Sequence, residues 1–154
     1  MVRFKNRYIV VELRTRDANS SLFSLTSQHF RNSIRDAIDD NFGLLGAAKC
    51  HQSLNIKFWD PLTKLAIIRI ARDHAQILQQ TLLFISSINN QEVQFNTIYV
   101  GATIKHCEMN CREFINRWLS HTTKNAVNKQ VILDYQQKAQ GVEEKLGEAM
   151  QTMQ

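Results

Sequence analysis

The sequence predicts an α+β fold, one antiparallel sheet with helices packed on it. Three observations carry this. Stretches of alternating apolar and polar residues are interleaved with stretches whose apolar residues recur every three or four positions. The 154 residues are 44% hydrophobic with five Gly and one Pro, enough apolar material for one core and too little Gly or Pro for a disordered or fibrous chain. The stretches run strand, helix, strand, strand, helix, strand, then helices.

Residues 4–14 read as a first strand, with Ile9, Val11 and Leu13 on one face and Tyr8, Val10 and Glu12 on the other. Asp17-Ala18-Asn19-Ser20-Ser21 is turn-forming. Ser24 then caps a helix whose apolar stripe is Phe30, Ile34, Ala37, Ile38 and Phe42, and Gly43 ends it. In a second strand Leu54, Ile56 and Phe58 alternate with Asn55, Lys57 and Trp59. Asp60-Pro61-Leu62-Thr63 turns the chain into a third strand, Leu65–Ala71, closing a hairpin.

Asp73 with Gln76 resembles a capping box opening a helix through Ile77, Leu78, Thr81, Leu82, Ile85 and Ile88, closed by Asn89-Asn90. Residues 95–105 read as the fourth strand, with Ile98, Val100 and Ile104 on one face and Phe95, Thr97, Tyr99, Thr103 and Lys105 on the other. Asn110 with Glu113 looks like another capping box, starting a helix that buries Phe114, Ile115, Trp118 and Leu119. A last helical pattern (Val131, Ile132, Tyr135, Ala139, Val142, Leu146) fades into a polar end.

This order is the ferredoxin-like (RRM-like) split β-α-β sandwich, a four-stranded antiparallel sheet with two helices on one face, here followed by C-terminal helices. Residues 1–125 are expected to form the sandwich with the first C-terminal helix, and 126–154 a helical extension. The faces carrying Ile9, Leu54 and Ile98 meet the helices. The opposite face then presents Tyr8, Lys57, Trp59, Phe95, Tyr99 and Lys105.

Net charge is +5, from 19 Lys and Arg against 14 Asp and Glu. Residues 1–16 hold five bases (Arg3, Lys5, Arg7, Arg14, Arg16) against Glu12, whereas residues 134–154 hold four acids and two bases. A basic body suits a polyanion, nucleic acid first, although a solvated surface explains the same composition. Arg3, Lys5 and Arg7 alternate on one edge-facing row that can follow a phosphate backbone. Lys49, Lys57, Arg69, Arg72, Lys105, Arg112 and Arg117 are the further candidates for RNA contact. Base stacking on the sheet centre is disfavoured, because Leu-Ala-Ile-Ile-Arg-Ile-Ala has no aromatic residue. Val10, Trp59, Phe95 and Tyr99 are too much apolar area for a free surface, so the C-terminal helices and a protein neighbour are expected to cover them.

No apolar run approaches the roughly 20 residues of a bilayer span, and the start lacks a signal peptide's apolar stretch, so neither secretion nor membrane spanning is expected. Cys50, Cys107 and Cys111 are an odd number and suit a reducing compartment. With His51 and His106 they match no zinc spacing, so buried thiols and no metal are expected. The pairs Asp39-Asp40 and Glu143-Glu144 fit solvated helix faces, and no catalytic constellation stands out.

Four segments in order carry a resemblance: Met-Val-Arg-Phe-Lys-Asn-Arg-Tyr at 1–8, Gly46-Ala47-Ala48-Lys49-Cys50 entering the second strand, Ala66-Ile67-Ile68-Arg69-Ile70-Ala71-Arg72, and Val100-Gly101-Ala102-Thr103-Ile104-Lys105. Over about residues 1–120 the chain resembles the Pop-five/Rpp-fourteen family of ribonuclease P and ribonuclease MRP subunits, with Ala102 where the family usually has Gly. The resemblance implies a non-catalytic subunit that braces an RNA enzyme for tRNA 5′-end maturation and ribosomal RNA processing. It implies ribonuclease P RNA and MRP RNA as partners, precursor tRNA through the complex, and Rpp-thirty, Rpp-fourteen/Pop-eight and Pop-one type proteins. It also implies Mg²⁺ at the RNA, no cofactor in the protein, and a place in the nucleus and nucleolus. The alternative is a stand-alone small-molecule-binding regulatory domain. An acylphosphatase does not fit, since Arg16-Asp17-Ala18-Asn19-Ser20 has no Gly for an anion loop.

Overall fold

The structure, a computed structural model, describes residues 5–16, 25–124 and 129–152. The expected turn at 17–21 and the Ser24 cap lie outside the described residues. In chain order the elements are β1 (Asn6–Thr15), α1 (Ser27–Cys50), β2 (Asn55–Asp60), β3 (Leu65–Ala71), a 3₁₀ turn at Arg72–His74, α2 (Ala75–Phe84), β4 (Ser87–Ile88), β5 (Gln91–Gly101), α3 (Ile104–Lys124) and α4 (Lys129–Gln151). The strands lie in the order β2-β3-β1-β5-β4, with every neighbouring pair antiparallel.

Helices cover both faces. On one side α1 and α2 bury Ile9, Val11, Leu13, Ile68 and Ile70 against Phe30, Ile34, Ile38, Leu78 and Leu82. On the other, Val10, Leu65 and Ile67 meet Cys107, Cys111 and Ile115 of α3 and Ala139, Val142, Leu146 and Met150 of α4. This explains why β3 reads as an almost unbroken apolar run: a strand covered on both faces has no polar alternate. Val10, Leu65 and Ile67 are fully buried. At about 1.5–3 kcal/mol for each such side chain, the C-terminal helices contribute substantially to the fold.

The α1 N-terminus is capped by Thr26, whose hydroxyl accepts from the His29 N–H at 3.2 Å. Gly43 (φ 59°, ψ −161°) does interrupt the helix, but the chain turns helical again to Cys50. The expected strand entry at 46–50 is therefore a second helical segment. Gly46 is buried there, and a Cβ on it would collide with Phe42 Cβ. Gly46→Ala is expected to destabilise by about 1–3 kcal/mol, the usual overpacking range, read as a lowered thermal midpoint. An unchanged midpoint would mean that the two segments separate freely. The β2–β3 turn forms as its sequence indicates, with Asp60 Oδ2 accepting from the Thr63 N–H and hydroxyl, each at 2.8 Å.

The sheet has five strands, not four. Asn89-Asn90 does not close a helix; both residues have positive φ (50° and 61°) and link β4 to β5. Two successive positive φ values are what a two-residue type I′ hairpin needs, and Asn tolerates them better than most residues. α2 therefore stops at Phe84. Neither proposed capping box forms: Asp73 sits in the 3₁₀ turn, and α2 has no side-chain cap bond. α3 starts at Ile104, so Asn110 lies inside it and donates to the His106 carbonyl at 2.8 Å.

Two β-bulges overturn the expected faces. Val10 pairs with Tyr99 but Val11 pairs with Thr97, which leaves Ile98 as the extra residue in β5. Ile56 pairs with Ile68 but Phe58 pairs with Ile67, which leaves Lys57 extra in β2. One inserted residue reverses every side chain beyond it. Phe95 and Trp59 thus join the α1 side, while Phe58 joins the α3/α4 side.

A basic end of the sheet as a candidate nucleic-acid interface

Antiparallel pairing brings the start of β1, the start of β2 and the ends of β3 and β5 to one end of the sheet. Tyr8 pairs with both Arg69 and Gly101, Asn6 with Ala71, and Asn55 with Arg69. The 3₁₀ turn continues from β3 there, and the Arg72 N–H donates to the Lys5 carbonyl at 2.8 Å. α3 starts over the same end, where the Cys107 thiol lies 3.7 Å from the Tyr8 carbonyl. Lys5, Arg7, Arg69, Arg72 and Lys105 therefore gather from two strands, the 3₁₀ turn and a helix start. Lys57 on outer strand β2 and Lys49 in the last turn of α1 flank them. Among the described residues none of these seven forms an ion pair. Lys5, Lys49, Arg72 and Lys105 are exposed, and Arg7, Lys57 and Arg69 half-buried. Arg69 Nε has no hydrogen-bond partner among the described residues. An oxyanion is the acceptor that such a guanidinium suits.

At the opposite end the charges neutralise each other. Arg14 Nε meets Glu12 at 2.9 Å, and Arg16 meets Glu92 at 3.0 Å. A cleft of about 710 Å³ lies there, lined by Arg14, Arg16, Ser86, Ser87, Glu92 and Gln94 among others. Exposed pairs of this kind add little stability, but they cancel the local field. Among the described residues, most bases without an ion pair thus gather at the Lys5/Arg72 end, while Lys64 at the other end donates to the Thr15 hydroxyl at 2.6 Å.

Arg3 lies outside the described residues. β1 is a central strand between β3 and β5, so the row of Lys5 and Arg7 is not edge-facing. Arg112 and Arg117 stand farther along α3, engaged with Glu108 at 3.0 Å and Glu113 at 4.0 Å. Of the four residues assigned to a partner surface, Val10 and Tyr99 lie on the expected face, under the C-terminal helices, whereas Phe95 and Trp59 lie on the other. Val10 is fully buried under α3 and α4. Phe95 is 5% exposed and stacks 5.7 Å from Phe30. Trp59 packs 5.2 Å from the same ring, its indole N–H donating to the Leu25 carbonyl at 2.7 Å. Tyr99 is half-buried in the second core. The bulges, which periodicity alone does not reveal, account for Phe95 and Trp59.

Sequence reading missed the contact of Arg35 with His51. Arg35 Nη2 donates to the His51 carbonyl at 3.0 Å, and His51 Nε2 comes within 2.9 Å of Asp39 Oδ1, an ion-pair distance without hydrogen-bond geometry. Only the fold-back beyond Gly43 unites them.

Among the described residues no cluster of His, Cys, Asp or Glu is arranged to hold a metal. All three cysteines are free and buried. Burial pushes the Cys107 thiol up from 9.0 to about 11, against a smaller opposing effect of the Gly101 backbone. Cys111 is pushed up further by burial, with Cys107 and Glu108 adding to it. These thiols stay protonated at neutral pH, so native protein at pH 8 is expected to resist iodoacetamide while denatured protein takes three labels. Above pH 9.0 the unfolded thiols lose protons that the folded ones keep, so stability falls between there and about pH 11. Rapid labelling of the native chain would place a thiol outside the core.

A family model described as the Rpp14/Pop5 family matches residues 7–112. The chain is 31% identical over 133 residues to the "Ribonuclease P/MRP protein subunit POP5" of Mus musculus, covering 84% of this chain and 78% of that protein. It is also 31% identical over 117 residues to the subunit of the same name from Schizosaccharomyces pombe, covering 71% and 84%. Among solved structures, a chain in a cryo-EM structure of yeast ribonuclease MRP matches with a TM-score of 0.50 and 12% identity, covering 68% of this chain and 79% of that one. That likeness concerns the fold.

Proposed function

Since the chain belongs to the Rpp14/Pop5 family, we propose that it is a non-catalytic protein subunit of ribonuclease P, and of ribonuclease MRP, that binds and braces the RNA. The observation that carries the RNA-binding part is the gathering of Lys5, Arg7, Arg69, Arg72 and Lys105, free of ion pairs among the described residues, at one sheet end. Long cationic side chains on a rigid frame can hold phosphates in a fixed register. The fold reading remains the ferredoxin-like one, supported by the order β2-β3-β1-β5 of the long strands.

In this role the catalytic RNA, with Mg²⁺, cleaves precursor tRNA at the 5′ side in ribonuclease P and processes ribosomal RNA in the MRP particle. Other subunits of Rpp-thirty, Rpp-fourteen/Pop-eight and Pop-one type are its protein neighbours, and the nucleus and nucleolus its location. The chain supplies binding and shape and no reacting group. Depleting it is expected to accumulate precursor tRNA with unprocessed 5′ leaders. Normal leader removal after depletion would remove the chain from that reaction.

A further inference from the structure

We infer that the basic end takes the sugar–phosphate backbone of double-helical RNA and does not read bases. This rests on the RNA-binding reading above and narrows it to one class of RNA. Proteins that hold unpaired RNA combine a basic groove with exposed aromatic rings on which successive bases stack. Double-helical RNA is instead met through phosphates, 2′-hydroxyls and shape, because its base edges lie in a deep groove that side chains do not reach.

The basic end has the second chemistry. Its bases sit on the three strands β2, β3 and β1, two interstrand spacings or about 10 Å of width, with Lys105 beside them at the start of α3. They are charges on long stems around a framework of strand ends. The tyrosines described at that end are Tyr8 and Tyr99, whose ring lies over Gly101; both are half-buried and packed into the second core. Helices pack on both sheet faces, and the rings on those faces are buried or half-buried, which disfavours a stacking platform. Trp59 and Phe95 are packed on Phe30, and Trp118 meets Tyr135 edge-on at 6.0 Å. Among the described residues the one strongly exposed aromatic is Phe84, at 61%. It closes α2, which runs away from the basic end toward the β4–β5 hairpin. The acids near this end are Asp73 in the 3₁₀ turn, Glu108, one turn after Lys105 and paired with Arg112 at 3.0 Å, and Asp39 of α1, 2.9 Å from His51.

The test uses the purified full chain and fluorescence anisotropy at one fixed salt concentration. The probes are two hairpin RNAs with unrelated stem sequences, and oligo-U and oligo-A of equal length. The two stems are expected to bind within about threefold of each other and at least about tenfold more tightly than either oligomer. Stems that differ by more, or an oligomer that binds as tightly as the stems, overturn the inference. The same titrations on a variant with Lys5, Arg72 and Lys105 changed to Ala separate the two levels. If stem affinity is unchanged, the RNA surface lies elsewhere and the underlying reading fails. If stem affinity falls yet oligo-U binds the unaltered chain as well as the stems do, only the duplex inference fails.

Discussion

Replacing Lys5, Arg7, Arg72 and Lys105 together by alanine is expected to flatten the salt dependence of RNA binding by about three units. Each phosphate neutralised releases about 0.7–0.9 of a counterion, so four lost contacts set the change. Affinity at low salt should fall at least about tenfold, while at high salt the variant and the parent converge. Folding should survive, because the bond that ties the 3₁₀ turn to β1 uses the Arg72 N–H and the Lys5 carbonyl, both backbone groups. Arg7 does donate from Nη1 to the Asn6 carbonyl at 3.3 Å, but that contact is local and half-exposed. The opposite-end pair Arg14 and Arg16 is the matched control. Both guanidiniums already face carboxylates, so their removal should leave the slope within about one unit. An unchanged slope in the fourfold variant would move the contact to Arg112 and Arg117 farther along α3.

Trp59→Glu is expected to unfold the protein or lower its stability by about 3–5 kcal/mol, the range for losing a large packed ring. The change removes the ring packed on Phe30 and the bond to the Leu25 carbonyl, and puts a carboxylate against the apolar layer of α1. For a domain of this size, that corresponds to a thermal midpoint lowered by roughly 6–20 °C. Trp59→Phe keeps most of the packing and loses the bond, so it should cost about 1 kcal/mol. A Trp59→Glu chain with a native midpoint would mean that the indole is a surface group awaiting a partner.

The contrast at Trp59 shows where sequence legibility ended. The four long strands, their antiparallel hairpin and the apolar stripe Phe30/Ile34/Ile38 were readable because each is set by local periodicity. A bulge has no periodic mark. Lys57 and Ile98 look like ordinary members of alternating runs until their partners β3 and β1 fix the register. The fifth strand was hidden for a related reason. Ile85 and Ile88 fit a helical stripe, and only the positive φ at Asn89 and Asn90 reveals a hairpin. The basic side chains were legible one by one, since charge needs no geometry. Their union at one end was not, because it depends on the strand order and on α3 starting at Ile104. The neutralisation of Arg14 and Arg16 was equally invisible, as Glu92 lies 76 residues from Arg16.

The central claim is membership of an RNA-containing processing particle, and the most direct measurement is to tag the chain, purify it under native conditions and sequence the RNA that comes with it. One or two abundant structured RNAs of the ribonuclease P and MRP kind are expected, in an assembly that cleaves precursor tRNA in Mg²⁺ and loses that activity when its RNA is digested. A tagged chain that elutes without RNA, or that cleaves precursor tRNA as protein alone, would contradict it.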